Sequence, residues 1–242
     1  MSRPPIIGIL GGMGPRATVE FERRLVNLFA GNDQAIPPIV SINDGSIPDR
    51  TQFLLGEGAD PHEKLAAAAK RLLACGATII CMPCNTAHAE PILGRLQARL
   101  DLPLVHMPAG CLDEAAMRGY RSVLVLGTEG TRLSGVFENA ENTGRSIICQ
   151  YPKRSDQAVI NRVIATVKRG EPSTATDILR LRRIVSTSGS DGAILACTEL
   201  SLIRERLPKL GIIDSLEVLA HRCHEQTMMA YTGREGANYD TR

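Results

Sequence analysis

Two cysteines are set apart by the residues that follow them. Cys84 leads into Asn85-Thr86 and Cys197 into Thr198-Glu199, and each stands between a short apolar run and a helical pattern. Hydrogen-bonding side chains directly after a thiol are not the pattern of a core strand. A thiol at a helix start also meets backbone N–H groups and a positive dipole end, which stabilise its thiolate. Two such thiols on opposite faces of one carbon atom can invert it: one thiolate removes the α-proton and the other thiol returns a proton from behind. Cysteine count alone favours a different reading, two core cysteines, because free cysteine is among the most buried residue types.

Three further motifs compete for attention. Cys81-Met82-Pro83-Cys84 has C-x-x-C spacing, which serves thiol redox chemistry and half of many zinc sites. No second C-x-x-C or histidine pair completes a zinc set, so no metal is expected, and Cys81 falls in an apolar run that makes it core filler. Gly12-Met13-Gly14-Pro15-Arg16-Ala17 fits the G-x-G-x-x-G/A fingerprint of dinucleotide sites, after a strand and into a helix. Such a site wants an acidic residue at the end of the second strand, about 20 residues on, but here the second apolar run ends considerably later, at Ile42-Asn43-Asp44. The same backbone N–H groups equally suit a substrate carboxylate. In Ser46-Ile47-Pro48-Asp49-Arg50-Thr51-Gln52, Arg50 offers a planar fork that matches a carboxylate, although by type it is an ordinary exposed arginine. Lys168, before Gly170, reads as a surface residue complementing a helix dipole, and spacing assigns no role to His88.

The elements that position these residues are legible as alternation. Apolar runs of strand length lie at 6–10, 39–42, 78–82, 104–106, 122–126, 147–150, 193–196 and 212–214, with helical patterns at 17–29, 61–73, 91–100, 156–168, 174–187 and 202–207. Continuous apolar runs suit strands covered on both faces, and strand–helix alternation predicts α/β units with mainly parallel sheets. The set is doubled. Ile9-Leu10-Gly11-Gly12-Met13-Gly14 is matched by Val125-Leu126-Gly127-Thr128-Glu129-Gly130, and Cys84 by Cys197, each after the third strand of its set. We read two similar lobes with a boundary near 109–112. In a parallel sheet, ligands collect beyond the carboxyl ends of the strands, where both cysteines fall. A polar C-terminal tail from Thr232 is expected to fray.

Composition bounds the function classes. The chain has 242 residues, 43% hydrophobic and 22% charged, with a net charge of +2, so disorder is excluded and a core is ensured without disulfides. The basic residues are scattered, which argues against nucleic-acid and membrane-surface binding. No apolar run approaches a membrane span, and no secretory leader pattern opens the sequence, so the cytoplasm is expected, with the seven cysteines reduced.

At the motifs the chain resembles the aspartate racemases, from Gly8-Ile9-Leu10-Gly11-Gly12-Met13-Gly14-Pro15 with Ala17-Thr18, through Ile47-Pro48-Asp49-Arg50-Thr51 and Cys84-Asn85-Thr86-Ala87-His88, to Cys197-Thr198-Glu199-Leu200. This resemblance implies a cofactor-independent aspartate/glutamate racemase of two pseudo-symmetric α/β lobes. Each lobe is a mainly parallel four-stranded sheet flanked by helices, with the active site in the cleft between them. It further implies Cys84 and Cys197 as the catalytic acid/base pair. Met13, Arg50, Gln52, Asn85, Thr86, Lys168, Thr198 and Glu199 are then placed around the substrate. The last helix is expected to return to the first lobe, giving residues 1–110 with 215–242 as lobe one and 111–214 as lobe two. A homodimer is expected, as two-fold assemblies are common. Two departures bear on substrate preference: Ala196 stands where glycine is usual, and Cys81-Met82-Pro83 replaces a more usual isoleucine-alanine lead. A broader amino-acid or hydantoin-type racemase stays open. So do an NAD-dependent oxidoreductase, from the glycine fingerprint, and a non-catalytic amino-acid sensor.

Overall fold

A computed structural model describes residues 5–31, 33–100, 104–140, 147–208 and 211–236, with side chains to Tyr231. Among the described residues, eight strands form two four-stranded, wholly parallel sheets, accompanied by ten α-helices. The first holds β1 (Ile7–Gly11), β2 (Ile39–Asn43), β3 (Ile79–Cys81) and β4 (Leu104–Val105) in the order β2-β1-β3-β4. The second holds β5 (Ser122–Leu126), β6 (Ile148–Gln150), β7 (Gly192–Leu195) and β8 (Ile212–Asp214) in the order β6-β5-β7-β8. The orders are the same, as the doubled sequence pattern predicts. The helices are α1 (Pro15–Val26), α2 (Arg50–Leu54), α3 (His62–Ala74), α4 (Glu90–Gln97), α5 (Met107–Met117), α6 (Glu129–Leu133), α7 (Arg154–Lys168), α8 (Ala175–Ser186), α9 (Thr198–Ser201) and α10 (Ser215–Gly236).

Both faces of each sheet are covered, which is why the central strands are buried and largely apolar. In β1, Leu10 joins Leu65, Leu72, Ile92 and Leu96 of α3 and α4 on one side. Ile7 and Ile9 point to the other, against Phe21 and Leu25 of α1 and Leu216, Leu219 and Cys223 of α10. In β5, Leu124 and Leu126 pack on α7 and α8, while Val123 and Val125 meet Cys111, Leu112 and Ala115 of α5. The glycine turns repeat as well. A side chain on Gly11 would run into Thr18, and one on Gly127 into Thr131, so each glycine lets the following helix close on its strand.

His106 Nδ1 caps α5 by accepting from Ala109 N, and Pro108 suits its first turn. Several expectations about single elements are corrected. The proline-bearing loop of Ser46 to Gln52 turns helical at Arg50, since the Asp49 carboxylate accepts from the N–H groups of Thr51 and Gln52. The tail expected to fray from Thr232 is helical to Gly236. The helix expected at 202–207 is replaced by α9 and a 3₁₀ turn over Arg204–Arg206. There the Ser201 carbonyl, which would extend the helix, accepts from Arg24 Nη2 at 3.1 Å instead.

That arginine belongs to the buried network joining α1 to the second sheet. Asp214, 3% exposed at the end of β8, accepts from Arg24 Nη1 at 2.7 Å, from Ser201 Oγ at 2.5 Å and from Leu216 N at 3.0 Å. Removing the cation leaves a buried carboxylate without its countercharge. Arg24→Ala is expected to lower the unfolding free energy by about 3 kcal/mol, measured by urea denaturation. Arg99→Ala, which breaks an exposed pair with Glu63, should leave the midpoint in place.

Candidate active site

Strand ends place the two thiols. After β3 the chain passes Met82-Pro83 and reaches Cys84 in an extended conformation, φ −157° and ψ 112°, before a 3₁₀ turn over Asn85–His88. After β7 it reaches Cys197 in a similar conformation, φ −133° and ψ 123°, at the start of α9. Both sulfurs line one narrow cavity of about 20 Å³, enough for a single water molecule. Met13, Arg50, Asn85, Thr86, Lys168, Thr198 and Glu199 share that lining, so residues following strands of both sheets converge there. Gln52 does not: it is exposed and lines neither this cavity nor the opening beside it. Ala196 lines it too, and Asp49, Thr51, Thr128 and Thr131 complete the wall without having been singled out from the sequence. The two from the second half follow the glycine turn that repeats the first, and that repeat was the signal available for them.

A wider opening of about 350 Å³ has Met13, Asp49, Arg50, Lys168 and Glu199 in common with the narrow cavity and is otherwise walled mainly by the first glycine turn and the start of α1. Contacts between the two halves hold the inner cavity narrow. Thr51 Oγ1 lies 2.8 Å from Thr128 Oγ1, and a Cβ on Gly130 would fall 2.9 Å from Thr51 Cα, so α2 and α6 meet at glycine distance. Lys168 Nζ lies 3.4 Å from Asp49 Oδ2 across the same gap.

The thiols have unlike neighbours. Cys84 Sγ is 3.3 Å from the Thr86 hydroxyl, whereas Cys197 donates to Glu199 Oε2 at 3.0 Å. Burial, then the Glu199 carboxylate, pushes the Cys197 thiol well above the usual cysteine range, with Lys168 pulling it back. Burial also works against charge on Lys168, but Cys197, Glu199 and Asp49 outweigh it and hold the ammonium above its ordinary value. Glu199 is 4% exposed, and its Oε1 lies 2.4 Å from where a Cβ on Gly14 would be. The anion seated against the first turn of α1 is therefore the protein's own carboxylate, in the place where the dinucleotide reading needs a pyrophosphate.

Two polar atoms of the lining residues are buried with no hydrogen-bond partner. Arg50, 6% exposed, donates from Nη1 to Ile47 O and Pro48 O and from Nη2 to Met13 O, while its Nε–H is unmatched. Asn85 donates from Nδ2 to Ser215 Oγ, and its Oδ1 is unmatched. One is a donor attached to a positive charge and the other an acceptor, and buried groups of this kind call for a bound partner.

Behind Cys84 sits His88, with Nδ1 2.9 Å from Cys84 O and Nε2 3.4 Å from Val105 O. Burial, reinforced by His106, pulls its pKa down to about 3, so the ring is neutral and has one N–H for two carbonyls. The shorter contact marks Nδ1 as the donor, which fixes the backbone at Cys84. Cys81 faces elsewhere: it packs with Cys223 of α10, and burial first, then that contact, pushes its thiol up. Among the described residues no group of three or more histidine, cysteine or acidic side chains is arranged to hold a metal ion, and no helix is long and apolar enough to cross a membrane.

The chain is similar to known proteins over most of its length. The sequence profile of the Asp/Glu/Hydantoin racemase family matches residues 10–223. The chain is 30% identical over 239 aligned positions to the broad specificity amino-acid racemase RacX of Bacillus subtilis, covering 93% of this chain and 99% of that protein. The aspartate racemase of Picrophilus torridus superimposes with a TM-score of 0.76 at 28% identity, over 93% of this chain and 94% of that one. A glutamate racemase from Thermus thermophilus, in complex with beta-chloro-D-alanine, shares the fold with a TM-score of 0.64 at 18% identity, over 96% and 82% of the two chains.

The neutral, buried His88 gives the site a pH signature. Its pKa falls on folding from 6.5 to about 3, so below pH 6.5 the unfolded chain binds a proton that the folded chain refuses. The contribution is intact above pH 6.5 and is lost as pH drops toward 3, at up to about 1.4 kcal/mol per unit. Urea midpoints at pH 7 and pH 5 should differ less for His88→Gln than for the unaltered protein.

Proposed function

The chain belongs to the Asp/Glu/hydantoin racemase family, and we propose that it interconverts the L and D forms of an acidic amino acid, aspartate or glutamate, using Cys84 and Cys197 as the acid–base pair and no cofactor. One observation carries the reading: thiols from the two halves line a single cavity together with an unmatched Arg50 donor and an unmatched Asn85 acceptor. A zwitterion supplies both missing partners, its carboxylate to Arg50 and its ammonium to Asn85. The protonated Lys168 then serves the side-chain carboxylate. In this reading residues 1–110 with 215–242 act as one lobe and 111–214 as the other.

The α-proton of an amino acid is a very weak acid, so the carbanion must be stabilised by fixed charge and hydrogen bonds. The Arg50 guanidinium and the hydroxyls of Thr86 and Thr198 provide these at the carboxylate. The cavity is too small for an amino acid, so the substrate enters through the wider opening with the lobes parted, and chemistry follows their closure. The Cys197 thiol donates to the Glu199 carboxyl, whereas Cys84 has the Thr86 hydroxyl beside it. Cys84 serves as base in one direction and Cys197 in the other, and turnover exchanges the roles. A second reading, a wider substrate range, is favoured by the Lys168–Asp49 pair. With its charge already balanced, Lys168 tolerates a side chain that has none.

The direct test is deuterium incorporation at Cα of L- and D-aspartate and glutamate in D₂O, after exhaustive dialysis; alanine and serine measure the breadth. Cys84→Ser and Cys197→Ser should each lower racemisation by at least about 10²-fold while sparing α-exchange of one enantiomer, a different one for each. Normal racemisation by either variant overturns the pair. In the direction where Cys197 is the base, rate rises with pH as its thiol ionises. Glu199→Gln removes a charge that raises that thiol, so the rising limb should move to lower pH.

A further inference from the structure

Ser215 opens α10, is wholly buried, and lies outside the cavity lining. Its hydroxyl nonetheless touches the chains that carry both thiols. Ser215 Oγ donates to the carbonyl of Leu195, two residues before Cys197, at 2.6 Å, and accepts from Nδ2 of Asn85, the residue after Cys84, at 3.0 Å. The direction of both bonds is forced. A hydroxyl has one proton, and a backbone carbonyl can only accept, so the proton lies toward Leu195. What remains on Oγ is lone-pair density, and only the NH₂ side of the Asn85 amide can meet it. The amide is thereby locked against a flip, and Oδ1 is left as the buried atom with no partner.

We propose that Ser215 is a positioning residue: it fixes the Asn85 amide so that Oδ1 accepts from the substrate's α-ammonium, and so makes the site select for an amino group. The inference rests on the racemase reading for the identity of the ligand, but its test reads binding rather than turnover. Without the hydroxyl the amide is free to rotate, and a flipped amide presents NH₂ to a cation. Binding of an amino acid then suffers, while binding of the same dicarboxylate lacking the amino group does not.

The test is calorimetric titration of the whole protein with aspartate and with succinate, for the unaltered chain and for Ser215→Ala and Ser215→Thr. Ser215→Ala should weaken aspartate about tenfold, the order expected for one hydrogen bond to a charged group, and leave succinate within about twofold. Ser215→Thr, which keeps the hydroxyl, should restore aspartate. If Ser215→Ala does not fold by circular dichroism, Ser215→Cys, close in size but a poor hydrogen-bonding partner, is read the same way. Equal weakening of both ligands, or no change in aspartate, overturns the proposal while leaving the racemase reading in place. An unaltered protein that prefers aspartate to succinate but exchanges no α-deuterium overturns the racemase reading alone, and one that binds neither overturns both.

Discussion

A carboxylate cannot remain ionised in a protein interior without a countercharge and hydrogen bonds, and Asp214 at the end of β8 obtains its cation from α1, an element of the other sheet. The rest of the arrangement follows from that demand. The Arg24 guanidinium that reaches Asp214 also takes the Ser201 carbonyl, which ends α9 within a few residues of Cys197. It thereby ties the segment bearing one thiol to the helix whose first turn receives Glu199. Immediately after Asp214, Ser215 takes hold of the other cysteine's neighbour. The ends of two separate sheets are held together by polar groups that have no solvent to fall back on.

The repeat supplies near-symmetry, and single residues break it. Both cysteines follow the third strand of their sheet, in similar backbone conformations. The residue two positions on then decides the local chemistry: a hydroxyl beside Cys84, a carboxylate beside Cys197. A glycine at position 14 makes the second possible, since any side chain there would displace the carboxylate. Two groups alike in kind thus stand in unlike surroundings.

What was legible in the sequence was local. All eight strands could be read from apolar runs, because strands covered on both faces are mostly apolar, with polar residues chiefly at their ends and on the edge strands, and Cys84 and Cys197 could be read from the polar residues behind them. What was not legible depends on contacts far along the chain. The helix expected at 202–207 yields to a bond from Arg24, and nothing in the 202–207 segment records it. Only the family resemblance places Gln52 at the substrate, in a stretch that reads as a loop. Once Asp49 caps a helix there, each residue turns by about 100°, and Gln52 ends outside while Arg50 and Thr51 line the wall. Ser215 carries no motif, since its two partners lie 130 and 20 residues away.

The contact between Thr51 and Thr128 has a consequence for speed. If ligand can reach the sulfurs only when α2 leaves α6, every cycle includes a separation and a rejoining of two bodies that sweep solvent aside. Friction from the surrounding liquid then enters the turnover rate alongside bond-making, and a thicker medium slows the protein even when the proton transfers themselves are unchanged.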